Sequence, residues 1–120
     1  MYNTHGHKQN HLHQGSTRLH LDVTSAVNIM LYTVDLPDGS PGGALWHIFA
    51  PDVTFRLCEF MRKHPAIVYS GIGDPIHDQR MYLAPSLLEA LDAKYGICLY
   101  TIVQHPGDAV FIPAGCAHQV

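Results

Sequence analysis

Two short segments at opposite ends of the 120-residue chain carry side chains whose types and spacing could bind a metal ion. The first is His20, Leu21 and Asp22. On an extended strand, residues i and i+2 point to the same side, so the imidazole and the carboxylate converge while Leu21 faces away. A histidine and an aspartate on an ordinary surface strand would look the same. The second segment spaces Gly107, Pro113, Gly115 and His118 as a turn, a strand over Asp108–Ile112, a tight turn and a further strand. It is the more specific of the two, because three turn-forming positions and one histidine must all fall in place. Together the segments supply two imidazoles and one carboxylate, the facial set that holds Fe(II) and leaves adjacent coordination positions open for a bidentate keto acid and dioxygen. A barrel that had kept the pattern and lost the metal would read identically.

The chain has ten histidines. His5, His7, His11 and His13 lie in residues 1–15, a stretch without periodicity that reads as loop. Loose histidine tracts capture divalent ions without forming a specific site. His47, His64, His77 and His105 lack a partner at strand spacing, which places them in loops or around a ligand set rather than in it.

The elements that must position these residues follow from punctuation and periodicity. Strands are expected around Leu19–Asp22, at Ala26–Tyr32 and at Ala44–Ala50, with a Pro/Gly-rich loop over Leu36–Gly43. A helix opens at Pro51 with Asp52 as its N-cap, and it ends where Pro65 forces His64 out of helical geometry. A second helix fits Pro85–Tyr95, with Leu87, Leu88 and Leu91 as its apolar stripe and Gly96 closing it. Strands Ile97–Gln104 and Asp108–Ile112 flank a turn at His105–Gly107. The sum is a mainly β fold, a sandwich or barrel, with two flanking helices.

Composition excludes several classes. Apolar residues at 47% rule out a disordered chain, and the length allows one domain. A net charge of −3 leaves no basic footprint for direct nucleic-acid binding. The longest apolar runs fall far short of the roughly 20 residues of a membrane span. Cys58, Cys98 and Cys116 are odd in number and lack metal-type spacing, which favours a reducing compartment.

On these residues the sequence resembles the JmjC family of Fe(II)/2-oxoglutarate oxygenases, and within it the histone H3 lysine-9 demethylases related to the hairless corepressor. The resemblance runs through Met1–Asn3 with Gly6, Thr17–Val23, Ala44–Ile48, Asp74–Gln79, Tyr82–Leu83, Tyr95–Gly96, Ile102–Gln104, and a final block of Gly107–Asp108, Val110–Gly115 and His118–Val120, with Asp74–Gln79 and the final block the most specific. It implies a double-stranded β-helix (jelly-roll, cupin-like), with residues 1–120 a partial domain: 1–15 a His-rich loop, 16–120 the barrel strands and two helices. It implies that His20, Asp22 and His118 hold the iron, that Thr17 and Asn28 line the 2-oxoglutarate pocket, and that dioxygen is the co-substrate. The implied reaction hydroxylates an N-methyl group of a histone lysine, which then leaves as formaldehyde. The implied setting is the nucleus, on chromatin, with the histone H3 tail as substrate.

Three departures stand against that pattern. Pro37–Asp38 occupies the place of a Pro-Lys pair whose lysine binds the distal carboxylate of 2-oxoglutarate, so a carboxylate would face a carboxylate. The loop from Pro37 to Ala44 is short for the subgroup. The chain also begins inside the family's barrel and stops just after His118, which predicts a fragment, incomplete at both ends and poorly stable alone. A catalytically dead JmjC corepressor or scaffold, and a JmjC-type protein hydroxylase, therefore remain open beside the demethylase.

Overall fold

The architecture comes from a computed structural model that describes residues 17–67 and 73–120. Residues 1–16, with His5, His7, His11 and His13, and residues 68–72 lie outside the described part. In order, the elements are β1 (Ala26–Ile29), β2 (Ala44–Ile48), a 3-10 turn (Pro51–Val53), α1 (Thr54–Lys63), α2 (Pro85–Tyr95), β3 (Tyr100–Gln104), β4 (Ala109–Ile112) and β5 (His118–Gln119). The strands form two antiparallel sheets, β1 with β4, and β3-β2-β5.

Strand β2 is the hinge of the architecture because both of its faces are covered. Ala44, Trp46 and Ile48 point one way, into a cluster with Val110 and Ile112 of β4 and with Cys116. His47 is buried on the opposite face, and Phe49 joins the larger core formed with Leu57, Phe60 and Met61 of α1 and Leu87 and Leu91 of α2. The same alternation runs through the last segment. Cys116 belongs to the first cluster and Ala117 to the helical core, so His118 returns to the side of Trp46 and Gln119 to the side of the helices. The register confirms it, with His118 opposite Ile48 and Gln119 opposite His47.

Several sequence expectations shorten or move. Asp52 does not cap a helix. It lies inside the 3-10 turn, and α1 begins at Thr54 without a side-chain cap. Proline at the start of a tight turn sets the backbone without needing an aspartate to do so. Strand Ile97–Gln104 is confined to Tyr100–Gln104, because Ile97 turns inward to the helical core. Residues 19–22 form no strand, only an isolated bridge at His20. Helix α2 keeps its expected bounds, with Leu87 and Leu91 buried, Leu88 packed partly against the core, and Gly96 left-handed at its end.

Candidate metal centre

His20 and His118 are placed by the backbone before their rings meet. His20 N–H donates to the His118 carbonyl at 3.0 Å, and His118 N–H donates to the His20 carbonyl at 2.9 Å. Thr17 and Val120 exchange a second pair of bonds, both at 3.0 Å. Between the two pairs Arg18 and Leu19 oppose Gln119 alone, a β-bulge. It sends the Leu19 N–H to the Met81 carbonyl at 2.7 Å and leaves the Arg18 carbonyl to accept from His20 Nδ1 at 2.8 Å. His118 repeats the device, with Nδ1 2.9 Å from the Cys116 carbonyl.

A carbonyl only accepts, so in each neutral ring Nδ1 carries the hydrogen and Nε2 presents its lone pair. Those two Nε2 atoms lie 3.8 Å (His20) and 3.9 Å (His118) from Asp22 Oδ2, and the ring centroids are 4.1 Å apart. The ligand-type atoms of His20, Asp22 and His118 all fall within 4.8 Å of one another, the one such group among the described residues. Burial above all holds the His118 imidazole below its ordinary pKa, which keeps its nitrogen free near neutrality. Two imidazoles presenting Nε2 and one carboxyl group fit a divalent transition ion.

The tight turn inside the second segment ties it to the stretch around the first. Gly115 N–H donates to the Asp22 carbonyl at 3.0 Å, and Ala114 N–H to Ser25 Oγ at 3.0 Å. Gly107 and Gly115 take φ values of 88° and 79°, where a side chain would be strained, which is why the motif needs glycine at both turns.

The other expected site residues sit around this group. Thr17 holds Val120 through the backbone pair. Asn28 lies on exposed β1 opposite Val110, and its Oδ1 accepts from Gln104 Nε2 at 3.2 Å. Asp38 is exposed, with its carboxylate turned onto its own loop, accepting from the Ser40 hydroxyl and amide. Ser40's hydroxyl foremost holds it below the usual carboxylate range. A short Pro/Gly loop thus satisfies this carboxylate locally.

His64, His77 and His105 lie away from the ligand group as expected. His64 ends α1, while His77 and His105 approach Asp74 and Asp108 at 3.4 and 3.7 Å. His47 is different: it is buried in β2 and its Nδ1 accepts from Gln119 Nε2 at 3.0 Å. Gln119 also bridges Leu83, donating to its carbonyl and accepting from its N–H, both at 2.8 Å. The supporting roles of Gln119, Gln104 and Trp46 have no motif of their own. Their only sequence signal is a polar or aromatic residue inside apolar strand alternation.

Comparison with known proteins gives the family. A profile described as "JmjC domain, hydroxylase" matches residues 13–120. The human protein named Lysine-specific demethylase 3A is 38% identical over 138 residues, covering 88% of this chain and 10% of that protein. The Drosophila melanogaster protein named Lysine-specific demethylase 3 is 36% identical over 153 residues, covering all of this chain and 18% of that protein. The chain thus spans between about a tenth and a fifth of the length of these relatives. The 153-residue match exceeds the 120 residues here, so the Drosophila protein carries residues with no counterpart in this chain.

Proposed function

Because the chain belongs to the JmjC domain family, whose fold is cupin-like, we propose that its parent protein is an Fe(II)- and 2-oxoglutarate-dependent demethylase of histone lysine. The names of the similar demethylases support the substrate class. The observation that carries the reading is the convergence of two ring nitrogens and a carboxylate from the chain's two ends within 4.8 Å.

In this reading His20, Asp22 and His118 would hold the iron, and Thr17 and Asn28 would line the cosubstrate pocket. When bound with 2-oxoglutarate, iron supplies the oxidation of a methyl C–H bond by dioxygen. The chain's own residues do the positioning. The Arg18 and Cys116 carbonyls keep both Nδ1 atoms protonated, so neither ring can turn its hydrogen toward the metal. The Trp46 indole stacks on the His118 ring, with centroids 6.0 Å apart and planes 23° off parallel, and walls that side from water. Hydroxylation of the N-methyl carbon gives a hemiaminal on the substrate, which collapses to formaldehyde and the amine.

The finer assignment is methylated lysine 9 of histone H3, in the nucleus, as a transcription coregulator on chromatin. It is supported by the hairless-type blocks at Asp74–Gln79 and Gly107–Val120. Among the described residues no helix is long and apolar enough to cross a membrane. The test is anaerobic addition of Fe(II) and 2-oxoglutarate to the full-length protein. A visible charge-transfer band, followed by succinate and formaldehyde from a methyl-lysine-9 peptide in air, is expected. No band and no succinate would reject catalysis.

Asp38 in place of the expected lysine favours a second reading, a non-catalytic JmjC scaffold. That reading predicts metal binding without 2-oxoglutarate binding, which the same titration separates.

A further inference from the structure

A chain of donors and acceptors runs from the ring beside His118 to Asn28. Indole Nε1 can only donate. Trp46 Nε1 lies 2.8 Å from Gln104 Oε1, so that atom is the oxygen of the amide and Nε2 is the other end. Two further partners agree. Gln104 Nε2 lies 3.0 Å from the Asn28 carbonyl and 3.1 Å from the Asp108 carbonyl, and carbonyls only accept. The side-chain atom of Asn28 at 3.2 Å from the same nitrogen must then be its oxygen. With Oδ1 used by Gln104, the Nδ2 amide of the exposed Asn28 is left to donate to another group.

We infer that Trp46 and Gln104 are positioning residues that fix Asn28 as a hydrogen-bond donor, so that its position accepts a carboxylate. Gln104 is 1% exposed and spans both sheets, from β3 to β1 and to the turn before β4. Among the described residues, no buried polar atom of Trp46 or Gln104 lacks a partner. Reversing the Gln104 amide would set its oxygen against three acceptors and its nitrogen against the Trp46 N–H, and reversing Asn28 would set donor against donor, so the network has a single low-energy polarity. A carboxylate oxygen meets hydrogens at such a site, whereas a flipped Asn28 would present it with a second oxygen. The inference rests on the proposed placement of Asn28 in the cosubstrate pocket.

The experiment is calorimetric titration of 2-oxoglutarate into the Mn(II)-loaded full-length protein, which reads binding rather than turnover. Asn28→Ala is expected to weaken 2-oxoglutarate about tenfold and leave Mn(II) affinity unchanged. Gln104→Leu, neutral and similar in size, is expected to weaken it about fivefold or more. The double variant should be no weaker than Asn28→Ala alone, because Gln104 acts through Asn28. Losses that multiply, or an unaffected Gln104→Leu, would overturn the relay while leaving the pocket assignment standing. An unaffected Asn28→Ala would instead remove Asn28 from the pocket and the inference with it. If Gln104→Leu does not fold, Trp46→Phe keeps a ring over His118, removes the N–H, and must show the same coupling.

Discussion

His20 and His118 are bridged by two backbone hydrogen bonds, and each suspends its ring from the carbonyl two residues earlier. Ring orientation is therefore inherited from the main chain. The metal-type cluster exists wherever the bulge at Arg18–Leu19 and the turn at Pro113–Gly115 form, before any ion arrives. Such preorganisation lowers the ordering cost of binding.

Asp22 supplies the carboxylate from a half-exposed position, so its loss should separate binding from folding. Asp22→Asn is expected to weaken Co(II) or Mn(II) at least about tenfold, while stability stays within about 0.5 kcal/mol, the range of surface substitutions. Trp46 is the chain's sole tryptophan and stacks on His118. Co(II) should quench its emission in a fragment carrying this chain, and Asp22→Asn should shift the quenching to higher metal concentration.

Gln119 closes three hydrogen bonds in the interior, two to Leu83 and one to His47. Gln119→Leu leaves the Leu83 N–H, the Leu83 carbonyl and His47 Nδ1 buried without that partner. The cost is expected at about 2–4 kcal/mol in chemical denaturation. Gln119→Glu should cost more, because it sets a charged oxygen against the Leu83 carbonyl.

His47 gives the fold a pH dependence of known sign. Burial holds its pKa below the ordinary histidine value of 6.5, and Nδ1 must stay unprotonated to accept from Gln119. The unfolded chain therefore binds the proton more readily, and stability rises with pH in this window. The contribution is complete above about 6.5 and is lost as pH falls through the lower folded value. Melting temperatures at pH 7.5 and 5.5 should differ more for the native protein than for His47→Gln. Equal slopes would remove His47 as the cause.

The types and spacings of the candidate trio were legible in sequence, but its meeting was not: residues 19–22 form no strand, and His20 reaches His118 through a bridge between distant parts of the chain. Helix α2 was legible because its signals are local, with Pro85 and Gly96 marking its ends. The bulge at Arg18–Leu19 was not, because it depends on Leu19 pairing with Met81 across a long stretch of chain. Asp52 misled because proline geometry, not a side-chain cap, starts the 3-10 turn. Gln104 and Gln119 stood out only as polar residues within apolar strands, because their partners come from other strands and loops.

Asp38 decides between the catalytic and scaffold readings, and its local structure makes the outcome specific. Its carboxylate is exposed and already bound by the Ser40 hydroxyl and amide. A charge so placed is screened by water and salt over roughly 8–10 Å. Asp38→Asn should therefore leave 2-oxoglutarate affinity within about twofold, with little change between low and moderate salt. A gain of about tenfold would mean that the carboxylate repels the cosubstrate after all. Measurable 2-oxoglutarate binding by Asp38→Asn, with none by the native protein, would favour the scaffold over the demethylase.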